Sequence, residues 1–543
     1  MSLRTPGPRF ALALLSAVVA APQVHAGDAA AGNPGESIYR RGVLRSGAPL
    51  EGRREQGTGV AGAQAACSNC HQKSGLGTKE GRIVMPPVTG RYLFRPRASS
   101  LDDLDLPYVD GIRPEREPYT EASLARAIRE GLDSEGKPLS PLMPRYALGD
   151  ADMGALIGHL KRLDQRKVPG VTDTVLHFAT VVTPDADPRQ AAGMVDVLEH
   201  FFADKNAFPI GPTPRLRSSR KMMFMVNRRW QLHVWRLSGP AATWQKQLER
   251  HLAAEPVLAV VSGIGGATWA PVQAFCEQKS VPCLFPNVEV PPADADHGFY
   301  SLYFSRGVLL EADLVARRIA ASGSGKQGVG QIYRAGESGE AGARALAVAL
   351  ERQGIPVHSQ VLARGGAGKG VAEALRKPPN TLVLWLHPED LAALGPMPAA
   401  TANVYMSGLM GGLENAPLPS GWRGSTRLAY PFDLPERRRI RVDYARGWFA
   451  IRRIPVVAEP VQTDTYLACG LLAEALSHMA DTFVRDYLVE RTQDMLEHRV
   501  ITGYYPHLSL AAGQRFAAKG GYLVHFADPV GPRLLADSEW VVP

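Results

Sequence analysis

Cysteine is scarce in this sequence, with five among 543 residues, which is too few for a fold stapled by disulfides. Charge of one sign is also scarce: the formal net charge of +8 is a weak basic bias over so long a chain. Glycine (54) and proline (43) fall short of a collagen-like or low-complexity composition. We find neither sustained heptads nor a repeat of solenoid period. These absences leave a globular chain with length for two to four domains.

Long hydrophobic runs are also lacking, apart from one at the N-terminus. Residues 1–26 have the three parts of a secretory signal: Arg4 and Arg9, the apolar residues 10–21, and the small residues around Ala26. The apolar part is shorter than the roughly 20 residues of a membrane span, so an N-terminal anchor is only the alternative. We expect a cleaved signal, a periplasmic location, and no integral membrane segment in the mature chain.

The densest basic cluster contains seven arginines. They are Arg437, Arg438, Arg439, Arg441, Arg446, Arg452 and Arg453. A nucleic-acid site would interleave them with aromatic residues, of which this stretch has three, Tyr444, Trp448 and Phe449. We therefore expect a solvated helix face and no nucleic-acid partner.

The composition and the hydrophobic pattern of the sequence change after a predicted linker at residues 166–172. Residues 27–165 are rich in Gly, Pro and Arg and hold two helical patterns. Residues 173–543 instead alternate strand-length apolar runs with helical patterns. This alternation implies right-handed crossovers and mostly parallel sheets covered on both faces, with enough units for two such sheets.

The strongest chemical signal is the sequence Cys67-Ser68-Asn69-Cys70-His71. Two thiols three positions apart can add to the two vinyl groups of one haem, and the adjacent histidine becomes an axial ligand. The alternatives are a thioredoxin-type redox pair and half of a zinc site. However, no strand-like run precedes Cys67, and the next cysteine is Cys276. We predict one covalent haem c, attached through Cys67 and Cys70 and ligated by His71.

The sixth ligand of such a haem is often a methionine. Met143 lies in a proline-rich loop before the last predicted helix of this part, and a loop can carry a thioether across the haem face. Met85 is the second candidate, whereas Met153 falls within the helix and is expected to pack in the core. We predict His71 and Met143 as the iron ligands.

Residues 36–163 resemble a class I c-type cytochrome. The resemblance rests on the haem motif, on Pro86 and the residues up to Gly90, on the Met143-Pro144 loop, and on the closing helix near residues 155–160. It implies a small all-α domain in which the Pro86 carbonyl accepts the proton of His71. It also implies electron transfer rather than catalysis, with a periplasmic redox partner such as a dehydrogenase or a terminal oxidase. The long stretch 91–120 departs from the family pattern.

A glycine-rich loop follows one apolar run of the second part. Its candidate ligand residues are Ser262, Gly265, Gly266 and Thr268, where backbone N–H groups before a helix could hold an anion. The spacing fits neither a dinucleotide fingerprint nor a phosphate-binding P-loop. A tight turn with close helix packing is the alternative.

Residues 173–543 resemble a type I periplasmic binding protein, the class that serves branched-chain amino-acid and amide importers. The resemblance implies a two-lobed α/β fold and a small polar solute held between the lobes. Further candidate contacts stand at the ends of strand-like runs: Asn287, Tyr333, Glu337, His387 and Ser407. We expect crossings between the lobes near residues 306–311 and 455–463.

These two resemblances together predict one main function and one alternative. The first is a periplasmic mono-haem electron-transfer protein with a small-solute-binding module. The alternative is the solute-binding component of a transport or sensing system with an accessory cytochrome domain. An enzyme that oxidises its substrate at the haem is the least expected, because His/Met-ligated iron has no open position.

The remaining cysteines predict one disulfide. Cys276 stands at the end of a predicted helix and Cys283 at the start of the next strand, a spacing that can bring their Cα atoms within bonding range. The exported location permits oxidation. Two small buried thiols are the alternative, and Cys469 is expected to remain a buried free thiol.

Overall fold

The computed structural model describes residues 33–81, 83–94, 116–163, 165, 167–207, 228–292, 294–479, 482–496, 503–511 and 513–543. The predicted signal peptide 1–26 and most of the stretch 91–120 lie outside these residues. Within them, none of the helices combines the length and the apolar character that crossing a membrane requires.

In the residues that the structure describes, the N-terminal domain has five α-helices and five short strands. The helices are Pro34–Arg41, Ser68–His71, Gly90–Phe94, Glu121–Glu130 and Asp150–Arg162. The strands are β1 (Glu51–Arg53), β2 (Gly59–Ala61), β3 (Thr78–Glu80), β4 (Ile83–Met85) and β5 (Arg145–Tyr146). Strands β2-β1-β5 form an antiparallel sheet and β3-β4 a hairpin. The expectation of an all-α domain is wrong, because the domain also contains these strands. Gly57 and Gly81 have positive φ angles, which allow the tight turns that connect β1 to β2 and β3 to β4.

The first and last helices of this domain cross in direct backbone contact. A Cβ atom on Gly35 would lie 2.0 Å from the carbonyl oxygen of Ala155, so only glycine allows this approach. Ile38 and Tyr39 pack in one core with residues of the last helix, and Met153 is buried there. The expectation that Met153 packs in the core is thus confirmed.

The first lobe of the second part is a parallel sheet flanked by helices. Its strands are β6 (Val175–Val182), β7 (Arg229–Arg236), β8 (Ala259–Val261), β9 (Ile264–Gly265), β10 (Cys283–Leu284), β11 (Asn287–Val288) and β12 (Ser301–Leu302). They pair in the order β7-β6-β8-β10-β12. In addition, β9 pairs with β6, and β11 pairs with β9. Its helices are Pro188–Ala207, Trp244–Ala254 and Ala270–Lys279, joined later in the chain by Glu459–Met479 and Arg485–Leu496.

The second lobe repeats this plan and adds two antiparallel strands. Its strands are β13 (Val329–Arg334), β14 (Val357–Leu362), β15 (Thr381–Trp385), β16 (Asn403–Ser407), β17 (Thr426–Tyr430), β18 (Tyr522–Phe526) and β19 (Leu534–Ala536). Their order is β14-β13-β15-β16-β17-β18-β19, and the first five are parallel. Its helices are Val308–Ser322, Ser338–Glu351, Val371–Ala374, Pro388–Ala392, Gly408–Gly411, Ser420–Arg423 and Pro435–Arg452.

The chain passes between the lobes three times. The first passage leads from β12 into helix Val308–Ser322, and the second leads from helix Pro435–Arg452 into Glu459–Met479. Residues 503–511 and 513–518 belong to a third, which the sequence analysis missed. The Tyr504 carbonyl accepts from the Asp433 amide in the second lobe (2.9 Å), and the Ala517 amide donates to the Tyr303 carbonyl in the first (2.9 Å).

One disulfide joins the end of helix Ala270–Lys279 to the start of β10. Its partners are Cys276 and Cys283, with Cα atoms 6.2 Å apart. Cys469 is a buried thiol in helix Glu459–Met479. The pairing is the one that the spacing of these cysteines predicts.

Candidate functional site

The His71 ring is oriented by a carbonyl oxygen. Its Nδ1 atom lies 2.8 Å from the carbonyl oxygen of Pro86 and therefore donates to it. The turn after His71 brings the two together, because the Gly77 amide donates to the His71 carbonyl (3.1 Å). Gly77 has φ +72°, and a Cβ there would lie 2.1 Å from the Met85 carbonyl oxygen. With Nδ1 so engaged, Nε2 is the nitrogen that can ligate a metal.

Cys67 and Cys70 stand beside this ring as thiols. Cys67 is half-buried and Cys70 is exposed, and no disulfide joins them, in contrast to Cys276 and Cys283. Burial raises the pKa of Cys67 to about 12. A thioredoxin-type pair instead needs a lowered thiol pKa, so this environment disfavours that alternative.

The surroundings of the two thiols fit a flat apolar group. Tyr146 lies close enough for charge on either thiol to raise its pKa, although burial is the larger cause. Ile83 is 50% exposed and Leu142 48% exposed, which leaves large apolar side chains at the surface in β4, directly before Pro86, and in the Met143 loop. Among the described residues, no group of three or more His, Cys, Asp or Glu side chains is arranged to hold a bare metal ion. The residues present therefore fit a haem better than zinc.

The two candidate methionines lie in different segments. Met85 directly precedes Pro86, so its backbone lies on the Nδ1 side of His71. Met143 is half-buried in its loop, and its carbonyl accepts from Arg145 Nη1 (2.6 Å). Met85 thus adjoins the carbonyl that accepts from His71, whereas Met143 belongs to a separate loop.

In the second part, the glycine-rich loop already holds a carboxylate. Asp185 accepts from the amides of Gly266 (3.4 Å) and Ala267 (2.9 Å), and it also accepts from the Thr183 hydroxyl (2.5 Å). The loop thus binds an anion, as its composition indicates, but the anion is a side chain of the protein itself. The helix begins at Ala270 rather than at Thr268.

Ser262, which follows β8, and Asn287, which begins β11, come together in the first lobe. The Asn287 amide donates to Ser262 Oγ (2.8 Å), and Ser262 Oγ lies 3.1 Å from Thr465 Oγ1. Since Thr465 donates to the Val461 carbonyl, Ser262 donates to Thr465. Ser262 is buried and holds φ +53°, a rare conformation for a residue with a side chain. Its hydroxyl is thus fixed inside a network.

Two more predicted residues lie where the lobes approach each other. His387 Nε2, in the second lobe, is 3.9 Å from a carboxylate oxygen of Glu289, which follows β11 of the first lobe. Ser407 is buried and donates to Glu311, whose other oxygen accepts from the Leu409 amide (2.9 Å). Burial raises the pKa of Glu311 to about 8, against the lowering effect of these hydrogen bonds.

The last two candidates have local roles. Tyr333 packs against the core of the second lobe. Glu337 precedes helix Ser338–Glu351 and accepts from the Gly365 amide (3.3 Å). Between them, Arg334 forms a buried ion pair with Asp390 (2.6 Å).

Comparison with solved structures shows what this architecture resembles. No family model and no curated protein matches the chain. A substrate-binding periplasmic protein from Ralstonia solanacearum matches with TM-score 0.51 and 13% identity, over 67% of this chain and 100% of that one. A branched-chain amino acid ABC transporter protein from Thermus thermophilus with bound valine matches with TM-score 0.51 and 12% identity, over 69% and 98%. At this identity the likeness concerns the fold. The two-lobed part has the fold of type I periplasmic binding proteins.

Aromatic side chains fill part of the junction between the two lobes of this binding-protein fold. Phe285 and Phe304, just after β10 and β12, stack with ring centroids 4.3 Å apart. Tyr505 packs on Phe304 (5.4 Å) and on Phe432 of the second lobe (5.2 Å). The Tyr505 hydroxyl also donates to Asp464 (3.1 Å), and burial raises the pKa of Asp464 to about 7.

Sequence reasoning missed the acidic residues of the binding-protein fold. Asp185 and Glu289 each follow a strand, so the sequence indicates where they stand in the fold. It does not indicate their partners, which lie on other segments. Glu311 stands two positions before Asp313 in an apolar helical stretch, and the sequence does not show which of the two carboxylates is buried. Thr465 carried no signal, because a threonine within a long helix is common.

Proposed function

We propose that this chain is an exported solute-binding protein whose N-terminal domain carries one covalent haem c. Solute binding is the principal function, and it rests on the binding-protein fold together with polar groups at the carboxyl ends of strands in both lobes. In open α/β sheets, ligands bind at such strand ends. The matched Thermus thermophilus protein holds valine, which makes a small polar molecule the natural class of solute here.

The charged residues at the junction of the two lobes narrow the class of solute that we propose. Asp185 engages the amides of Gly266 and Ala267, so a carboxylate on the solute has no place in that loop. Glu289 stands at the junction with His387 and remains half-exposed. We propose a solute that presents an amine or hydroxyl groups to these acids, with Asn287 as a further polar contact.

The haem is the second part of the proposal, and one observation favours it: the 2.8 Å bond from His71 Nδ1 to the Pro86 carbonyl. Cys67 and Cys70 would form the two thioether links, and His71 and Met143 would be the axial ligands. When bound, the haem supplies one-electron oxidation and reduction. Pro86 fixes the ring of His71 and makes it a better donor. A periplasmic redox partner, such as a dehydrogenase or a terminal oxidase, would exchange the electron.

A thermal-shift screen of the full-length mature protein tests solute binding. The panel contains amino acids, amides, polyols and short organic acids. A bound solute raises the apparent melting temperature by mass action, and we expect amines or polyols to do so more than organic acids. Stabilisation by simple organic acids alone would contradict the proposed class.

Haem is tested on the same preparation. Denatured protein should keep its haem through acid–organic extraction, and Cys67→Ala should impair attachment, whereas Ser68→Ala should not. Haem that extracts completely would contradict this part of the proposal and leave solute binding untouched.

A further inference from the structure

The turn that follows His71 is held by a carboxylate of the binding-protein fold. Ser74 donates twice to Glu490, from its amide to Oε1 (3.1 Å) and from its hydroxyl to Oε2 (2.5 Å). Glu490 lies in helix Arg485–Leu496, is 4% exposed, and stands 416 positions from Ser74 in the sequence. A buried carboxylate is costly unless it is hydrogen-bonded, so these bonds hold both partners in place.

Neighbouring residues of the same turn dock on the same surface. Lys73 Nζ lies 3.9 Å from the centre of the Phe299 ring. Leu76 is buried in the hydrophobic cluster of the two-lobed part rather than in that of the N-terminal domain. Close by, Arg40 forms an ion pair of 2.5 Å with Asp486. Residues 73–76 are thus fixed from outside their own domain.

A short series of hydrogen bonds leads from this turn to the His71 ring. The Gly75 carbonyl accepts from the Val88 amide (2.7 Å), which ties the turn to the segment that contains Pro86. The Gly77 amide closes the turn on the His71 carbonyl (3.1 Å). Pro86 then receives the Nδ1 proton of His71. Ser74 adjoins Gly75, and Val88 lies two residues after Pro86, so the position of Ser74 influences the orientation of the imidazole.

We infer that Glu490 is a positioning residue for His71, acting through Ser74 and the turn 72–77. The inference rests on the proposed haem, because its consequence concerns the iron ligand. The two-lobed part therefore contributes to the haem site, and the reduction potential depends on a residue outside the cytochrome-like domain. Second-shell groups of this kind tune metal ligands.

The charged surroundings of Glu490 determine the choice of variants. Asp486 of the same helix raises the pKa of Glu490, the Ser74 bonds lower it, and burial as the largest cause brings it to about 8. Tyr39 of the N-terminal domain also faces it, and the backbone amide of Lys73 donates to it. Glu490→Gln keeps the size of the side chain and one of the two acceptor oxygens, and it is therefore the conservative replacement.

The test is a spectroelectrochemical titration of the full-length haem protein. Its variants are Glu490→Gln, Glu490→Leu, Ser74→Ala and, as a control on the same helix, Asp494→Asn. We expect Glu490→Leu to change the ratio of reduced to oxidised protein at a fixed potential at least threefold and to weaken the long-wavelength sulfur-to-iron band. Ser74→Ala and Glu490→Gln, which each remove one of the two hydrogen bonds, should act in the same direction and less, while Asp494→Asn remains close to wild type.

The outcomes separate this inference from the proposed function. Wild-type protein without covalent haem contradicts the haem proposal. Haem protein in which Glu490→Leu and Ser74→Ala both leave the potential and the band unchanged overturns the positioning role. If Glu490→Leu does not fold, Ser74→Ala decides, because it removes the hydroxyl and keeps the backbone bond.

Discussion

Asp185 Oδ2 lies 2.9 Å from the amide nitrogen of Ala267, in the glycine-rich loop that opens toward the junction of the two lobes. The loop therefore carries its own anion. Gly266 permits this approach, because a Cβ at that position would lie 2.6 Å from the Asp185 carbonyl oxygen. The Asp185 carboxylate therefore holds the glycine-rich loop in its conformation without a bound solute.

Asp185→Asn should destabilise the protein. The replacement removes a charge that accepts from two amides and a hydroxyl, and hydrogen bonds to charged groups are worth about 1.5–3 kcal/mol each. We expect a loss of about 1–3 kcal/mol in urea unfolding. Asp173→Asn is the control, because Asp173 is exposed and should change stability by less than about 0.5 kcal/mol. Equal stability of Asp185→Asn and wild type would mean that the loop does not depend on this carboxylate.

Met143→Ala should abolish the long-wavelength absorption of the oxidised haem protein and open the iron to added ligands. Met85→Ala should retain both properties, since Met85 adjoins the carbonyl that binds the Nδ1 side of His71. Absorption spectra with and without imidazole provide the measurement. If the two variants behave in the opposite way, the distal ligand is Met85.

Thiol counting on unfolded, unreduced haem protein should give one reactive group, Cys469. Cys276 and Cys283 are consumed by their disulfide, and Cys67 and Cys70 by thioether links. After reduction the count should rise to three. Three groups before reduction, in protein that retains its haem, would show that the disulfide is absent.

Stability should fall as pH rises from about 4.5 to 8. The folded protein raises the pKa of both Glu311 and Glu490 to about 8 through burial, so it binds more protons than the unfolded chain in this interval. Their contribution is complete below the unfolded pKa and is lost as pH rises through the folded value. Each pKa unit corresponds to about 1.4 kcal/mol, so the change amounts to about 5 kcal/mol for each of the two groups. Urea unfolding between pH 5 and pH 8 should show a shallower decline in Glu311→Gln, and an unchanged decline would contradict this assignment.

Local patterns predicted the parts of the site that depend on nearby residues. The bond between His71 and Pro86 spans 15 positions and is the contact that the resemblance to c-type cytochromes implies, and the Cys276–Cys283 bridge spans seven. Patterns of this range could not pair Asp185 with Ala267, 82 positions away, or Ser74 with Glu490. Those contacts depend on how loops and domains meet, which hydrophobic periodicity does not encode.

The features of the fold that the sequence did not predict were missed for similar reasons. The short strands β1 to β5 contain two or three residues each, too few to show an alternating pattern. The third passage between the lobes, to which residues 503–511 and 513–518 belong, has backbone bonds to both lobes but little regular structure of its own. The longer strands β6 and β13 were found because eight and six mostly buried residues leave a clear apolar run.

A calorimetric titration of the full-length protein with the solute found by the thermal screen tests the central claim most directly. The account predicts one site per chain, at least tenfold weaker binding in Asn287→Ala, and unchanged binding in Asn380→Ala. Asn380 is the matched control because it precedes β15, at the opposite end of the sheet from the lobe junction. A solute that binds Asn287→Ala as tightly as wild type, or the absence of binding by every solute in the panel, would contradict it.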